Sequence, residues 1–382
     1  MPGVKLGGVE DDVVHVTRGL STGTWSPNRG FERIGSLPGS DVAARLFDAP
    51  VIGGLLDRLI GSVTTTNLWP VDEGRLLATV GKELFLSPDR GQSWRLVRRL
   101  PESSGPMGVL PTAVCRHRDR LYLAEYPLGD EPAEVVVSDD GRQWSTFVSR
   151  TDVRHFHGLF HDPYTDALWG TTGDTDEESA IGRFVDGEFR PVGGGNQTWR
   201  AVDLAFTPES ILWGMDCSYA SQIRILRLPR ADIPSEPAGG SADCPVPEVV
   251  GSVDGPVFYA ATIRAGGTVW VVFSTASATG RDSTGPGTEG TGFGPVRVVA
   301  ASRRTGYERW YQLVTAERSA TLGTSVPAIP TANAYAFLAT TPGGDLLINP
   351  FNTRRNHGAV LVRRPSSFTE APRLSTGASE PG

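Results

Sequence analysis

Lysine is almost missing from these 382 residues: Lys5 and Lys82 are the only two, so arginine supplies 34 of the 36 basic side chains. That bias carries no mechanistic weight, but the charge balance does. The net charge is −7 with no basic stripe, which argues against nucleic acid as a partner. Only three cysteines occur (Cys115, Cys217 and Cys244), without a CxxC spacing. They suit free thiols in a reducing compartment better than a disulfide framework. No apolar run approaches the roughly 20 residues of a membrane span. Met1 to Asp12 lacks both the basic and the apolar region of a signal peptide. These absences lead to the expectation of a cytoplasmic protein that binds neither membrane nor nucleic acid.

Glycine and proline are plentiful, at 46 and 29 residues, as expected for many turns between short strands. One turn recurs. Ser87-Pro88-Asp89-Arg90-Gly91-Gln92-Ser93-Trp94 is complete; Ser138-Asp139-Asp140-Gly141-Arg142-Gln143-Trp144 is one residue shorter; Ser26-Pro27-Asn28-Arg29-Gly30 repeats the first half. Asp can accept hydrogen bonds from turn amides, Gly permits positive φ, and Trp re-enters the core. Used as a ruler, the turn divides the chain into units at about 13–38, 64–100, 111–149, 153–192, 198–250, 256–316 and 333–365. Each unit reads as a small antiparallel sheet that cannot bury its faces alone.

The fold expected is an all-β, seven-bladed β-propeller of four-stranded antiparallel blades, with six blades as the alternative. N- and C-terminal strands sharing a blade would close the ring. Residues 1–371 form one domain in this reading. It carries a short helical insert at 41–60 broken at Pro50 and Gly53-Gly54, mobile loops at 230–247 and 276–294, and a disordered tail over 372–382.

The Asp89 turn resembles the Asp-box of the BNR-repeat β-propellers, the superfamily that includes the sialidases. Glu125-Tyr126, His155-Phe156-His157-Gly158, Asp162-Pro163-Tyr164, Thr172-Gly173-Asp174, Arg200-Ala201 and Asp216 together resemble a group of propellers labelled glycosyl hydrolase or sialidase-like. The resemblance implies carbohydrate activity, and it implies that Asp89, Gly91 and Trp94 are blade-turn residues with no part in chemistry.

Innermost strands of a propeller line a central channel, and one mouth of it is the usual ligand site. His155 and His157 stand two apart on an expected inner strand and so share a face. Such a pair can act as acid and base or hold a divalent metal; the bland reading is that they bond structural carboxylates or carbonyls. No cofactor is required by the sequence. Asp174, Glu125 and Asp216 end the second strands of three neighbouring units and are expected to converge as the acid and base of glycosidic cleavage. The bland reading is strand capping or pairing with arginine. Arg200, Gln197, Asn196, Tyr126 and Trp69 are the expected substrate-binding residues: Arg200 for a substrate carboxylate, the amides for sugar hydroxyls, the aromatics for stacking. The function expected is cleavage of a glycosidic bond in an acidic or uronate-bearing glycan, by hydrolysis or by β-elimination. The alternative is a non-catalytic propeller for protein recognition or complex assembly.

Overall fold

Among the described residues, twenty-seven strands pair antiparallel into seven separate sheets, each in simple meander order. The computed structural model describes residues 3–39, 45–46, 48–72, 74–217, 220, 222–234, 244–277, 294–322 and 332–369. The protein is a seven-bladed β-propeller. The blades span 5–36, 66–99, 114–150, 156–194, 205–253, 257–316 and 335–363, six with four strands and the last with three.

Burial explains the sequence pattern within a blade. In the second blade the third strand, Glu83–Ser87, is buried throughout, whereas the fourth, Arg95–Arg99, is largely exposed. Middle strands have neighbours on both faces and read as unbroken apolar runs. The cores accordingly cross blade boundaries. Leu37 of the first unit packs with Leu68 and Leu76 of the second, and Trp213 of the fifth blade with Phe273 of the sixth.

The recurrent turn joins third and fourth strands. Ser87 Oγ accepts from Gly91 N (2.7 Å), and Asp89 accepts from Ser93 N (2.8 Å) and Ser93 Oγ (2.6 Å). Trp94 Nε1 donates to Gly91 O at 3.1 Å, and Trp144 repeats that bond to Gly141 O at 3.0 Å. Gly91 and Gly141 both have positive φ, +92° and +74°, which a side chain would strain.

Several boundaries differ from the sequence reading. A strand at Lys5–Glu10 opens the first blade ahead of residue 13. Gly7-Gly8 hid it by interrupting the apolar run; a bulge falls between Leu6 and Gly8, and a Cβ on Gly8 would meet Pro70 Cδ at 2.5 Å. The helical insert is not broken at Pro50. That residue starts the helix Pro50–Ile60, where a missing N–H costs nothing, and Gly53-Gly54 continue it. Residues 41–44 and 47 of the insert, 235–243 and 278–293 of the two loops, and the tail from 372 lie outside the described residues.

The terminal strands close the ring, but they do not share a blade as the sequence suggested. The N-terminal strand belongs wholly to the first sheet and the C-terminal strands to the seventh. The seam is one backbone bond, Val4 N to Gly358 O (2.8 Å), plus the fully buried Asn349. Asn349 Oδ1 accepts from Leu6 N (2.9 Å), while Nδ2 donates to Val4 O (3.1 Å) and Ala359 O (2.8 Å). Beside the seam, Lys5 Nζ donates to Thr66 O and Asn67 Oδ1 of the second blade, and burial pulls its pKa down to about 7.

Asn349→Ala should therefore lower stability by about 2–4 kcal/mol, because it leaves buried backbone donors and acceptors unpaired on both sides of the seam. Denaturant titration checks this. A loss under about 1 kcal/mol would place ring closure elsewhere.

Candidate functional site

One mouth of the channel is built from three consecutive blades. The second strand of the third blade ends at Ala124, that of the fourth at Thr172 and that of the fifth at Gly214. Two residues beyond each end stand Tyr126, Asp174 and Asp216, so these three occupy matching positions. Glu125 is only one residue past its strand, and it departs. Expected to join Asp174, it pairs instead with Arg98 of the second blade at 2.6 Å, with Glu134 also close to that arginine. Burial raises the Glu125 pKa against the pull of Arg98.

The His pair reaches the mouth by a different route from the one expected. The inner strand of the fourth blade begins at Phe156, so His155 precedes it, and His157 occupies a bulge between Phe156 and Gly158. A bulge re-aims its side chain. Thr112 Oγ1 donates to the bulged His157 carbonyl at 2.6 Å. Both rings turn toward Asp174: His155 Nε2 lies 3.4 Å from Oδ2, and His157 Nε2 lies 3.4 Å from Oδ1. Tyr126 stacks on His155 with ring centroids 3.8 Å apart.

Asp174 is set by Gly173, at φ +103°, where a Cβ would meet Ser179 N at 2.4 Å. The loop is tied by Ser179 Oγ donating to Thr175 O at 2.6 Å, and Glu178 Oε2 accepts from the Thr175 amide. From the fifth unit, Arg200 closes the cluster. Its Nη1 donates to Asp174 O (2.8 Å), and its Nη2 lies 3.0 Å from Asp174 Oδ1 and 3.3 Å from Asp216 Oδ2. Arg154 Nη1 lies 3.3 Å from Asp174 Oδ2. Arg200 is not on a strand as the sequence suggested. It caps a 3-10 turn, Gln197–Trp199, and the inner strand there shrinks to Ala205–Phe206.

The environments pull the carboxyl groups apart. Burial opposes ionisation of Asp174, but hydrogen bonds and charge from His155 and His157 outweigh it and hold the group far below the usual carboxylate range. Burial likewise lowers the pKa of His155 against the raising effect of Asp174. Asp203, which the sequence did not single out, behaves oppositely. Burial pushes it up to about 7, although Ala260 N donates to Oδ2 and Leu204 N to Oδ1, both at 2.8 Å. Two tyrosines link these carboxyls. Tyr126 is pushed up by burial and then by Asp174 and Asp216; Tyr259 by burial, by Tyr335, and then by Asp203 and Asp216. The only sequence signal for Asp203 is its alternation with Ala201 ahead of Ala205, which no motif marks.

Of the remaining expected residues, Gln197 belongs to the cluster. Its Nε2 lies 3.3 Å from Asp174 O, and its buried Oε1 has no partner. Asn196 instead caps the 3-10 turn, accepting from Thr198 N at 3.0 Å. It also lines a cavity of about 760 Å³, with Thr172, Glu178, Gly195, Trp199 and Val246, that opens beside the cluster and not over it. Trp69 is buried in the wall between blades and donates to Pro111 O at 2.7 Å, so it offers no stacking face. On another side of the fourth blade, His117, His161 and Asp166 form a second group, and Asp162 is held bidentately by Arg230 at 2.6 and 2.8 Å.

No family model matches this chain, and no curated protein matches it. Solved structures do. The chain is similar to YCF48 from Cyanidioschyzon merolae (TM-score 0.50, 11% identity, 96% of this chain and 97% of that one). It is similar to an oligogalacturonate lyase from Vibrio parahaemolyticus (0.50, 8%, 94% and 89%) and to an oligogalacturonate lyase in complex with manganese (0.50, 10%, 92% and 84%). At such identities the likeness is one of fold, the β-propeller. Among the described residues no helix is long and apolar enough to cross a membrane.

Arg200→Met should cost about 3–5 kcal/mol, since it strands two carboxylates whose side chains are only 17% and 13% exposed. Adding Asp216→Asn should recover part of that loss. A double-mutant cycle by denaturant titration measures it; additivity within about 0.5 kcal/mol would mean the groups do not act as a unit.

Proposed function

We propose that this protein is a carbohydrate-active β-propeller that breaks a glycosidic bond in an acidic, uronate-bearing glycan. The observation that carries the reading is the split in carboxyl states at one mouth. Asp203 is pushed up to about 7 while Asp174 is held ionised beside two arginines. Glycosidic cleavage calls for such a division: a protonated donor for the leaving oxygen and an ionised partner. Asp203 is the proton donor and Asp174 the ionised partner, with Asp216 joined to it through Arg200. Arg154, with a side chain 39% exposed, is placed to pair with a substrate carboxylate. His155 and His157, at 0% and 2% exposure, are too deep to touch a sugar and act by positioning Asp174. The neighbouring cavity lined by Asn196 can take adjoining sugar units. The Ser-x-Asp turns support the resemblance to BNR-repeat propellers.

Acidic oligosaccharides are the substrates to screen, with both new reducing ends and UV-absorbing unsaturated uronates scored. Hydrolysis gives the first alone and elimination gives both. Asp203→Asn should lower kcat at least about 100-fold with little change in KM. Arg154→Ala should act mainly on KM. Because the donor must carry its proton, activity should be full below pH 7 and fall as pH rises through about 7. An unchanged kcat in Asp203→Asn would defeat the assignment.

A second reading, protein recognition, is favoured by the helix Pro50–Ile60, which leaves Ile52 and Leu55 45% and 58% exposed. It requires a stoichiometric protein partner lost in Ile52→Glu/Leu55→Glu and kept in Asp203→Asn. Pull-down with the three proteins checks this, and a partner retained by the helix variant would count against it.

A further inference from the structure

The two buried imidazoles have their proton positions fixed by the backbone. His155 Nδ1 lies 3.2 Å from the Pro127 carbonyl oxygen, and His157 Nδ1 lies 3.2 Å from that of Ala201. A carbonyl can only accept, so each Nδ1 carries the hydrogen and each Nε2 of the neutral ring presents a lone pair. Both lone pairs face one carboxylate, at 3.4 Å from its two different oxygens. An ionised carboxylate also only accepts. Acceptors therefore face acceptors across a small gap, and His155 Nε2 is buried there without a hydrogen-bond partner. Such an arrangement is costly unless a cation, either a proton on Nε2 or a metal ion, occupies the gap.

We propose that His155 Nε2, His157 Nε2 and the Asp174 carboxylate bind one divalent first-row transition-metal ion. All three donor groups lie within 4.8 Å of one another. Donors about 2.1 Å from a shared tetrahedral ion stand roughly 3.4 Å apart, which matches both His–Asp separations. An Nδ1–H held by a backbone carbonyl is how proteins orient metal-binding imidazoles, and two imidazole nitrogens with a carboxylate suit zinc, cobalt or nickel. Arg154 and Arg200 lie against the carboxylate as outer partners, with Asp216 balancing Arg200. The other His–Asp group lacks the decisive feature. His117 Nδ1 and His161 Nδ1 are 3.0 Å apart, so one ring can donate to the other and neither Nδ1 is left without a hydrogen-bond partner.

The test uses the full chain stripped with chelator, titrated with Co²⁺ or Zn²⁺ by calorimetry and by the visible absorption of Co²⁺. One ion per chain is expected, with a ligand-field band. His157→Gln and Asp174→Asn should each weaken binding at least about 100-fold, and His161→Ala should leave it unchanged. Circular dichroism verifies that the variants fold, and the wild-type Co²⁺ band stands without any variant. Absence of binding to the wild type, retention in folded His157→Gln, or loss in His161→Ala would each overturn the proposal. No glycan enters the experiment, so its failure and that of the carbohydrate reading are separable.

Discussion

Every blade of this molecule has two apolar faces and can bury neither by itself. Closure of the ring is the constraint on which everything else rests. Among the described residues that closure is small at the seam: one backbone bond from Val4 to Gly358 and the two bonds of Asn349 to Leu6 and Val4. Behind it lies a large apolar contact, in which Val4, Leu6 and Val16 of the first blade meet Phe337, Leu347 and Phe351 of the seventh. Hydrophobic burial supplies the driving force, and Asn349 fixes the register at which it is gained. A propeller can therefore close without weaving one blade from both chain ends.

The mouth inherits its precision from that closed ring. Asp174 is gathered from its own blade by His155, His157 and Arg154, and from the next by Arg200. Its low pKa is a property of the blade interface rather than of its own loop. Asp203, half-buried in the fifth unit, accepts from the backbone amides of Leu204 and Ala260 and is driven the other way. Two carboxyl groups, linked through Asp216 and two tyrosines, thus reach opposite states through opposite surroundings.

The number of blades was legible because turn chemistry repeats. Ser87, Ser138 and Ser26 each end a third strand, where the repeated turn placed them. The convergence of units three to five was legible too, since equal offsets after equal strands lead to one rim. Three things were not. Glu125 and Tyr126 are adjacent in sequence, and which one turns inward depends on where the strand stops, a one-residue question. The His pair was expected to share a face by strand alternation, but one residue precedes the strand and the other is a bulge. Asp203 has no motif at all, and its altered state arises from packing against Ala260 and Tyr259 of the next blade.

Burial also divides labour at the mouth. The imidazoles are sealed from solvent, whereas the Arg154 side chain is 39% exposed. The formal charges of Arg154, Arg200, Asp174 and Asp216 sum to zero, so the network by itself has no preference for an anionic ligand. A divalent ion held by the His pair would change that balance, adding two positive charges at the carboxylate that Arg154 also contacts. Charge in a site of low dielectric is felt strongly at such range. The proposed metal and the proposed acidic substrate are therefore linked: the ion would supply the net charge, and Arg154 the geometry that reads a carboxylate.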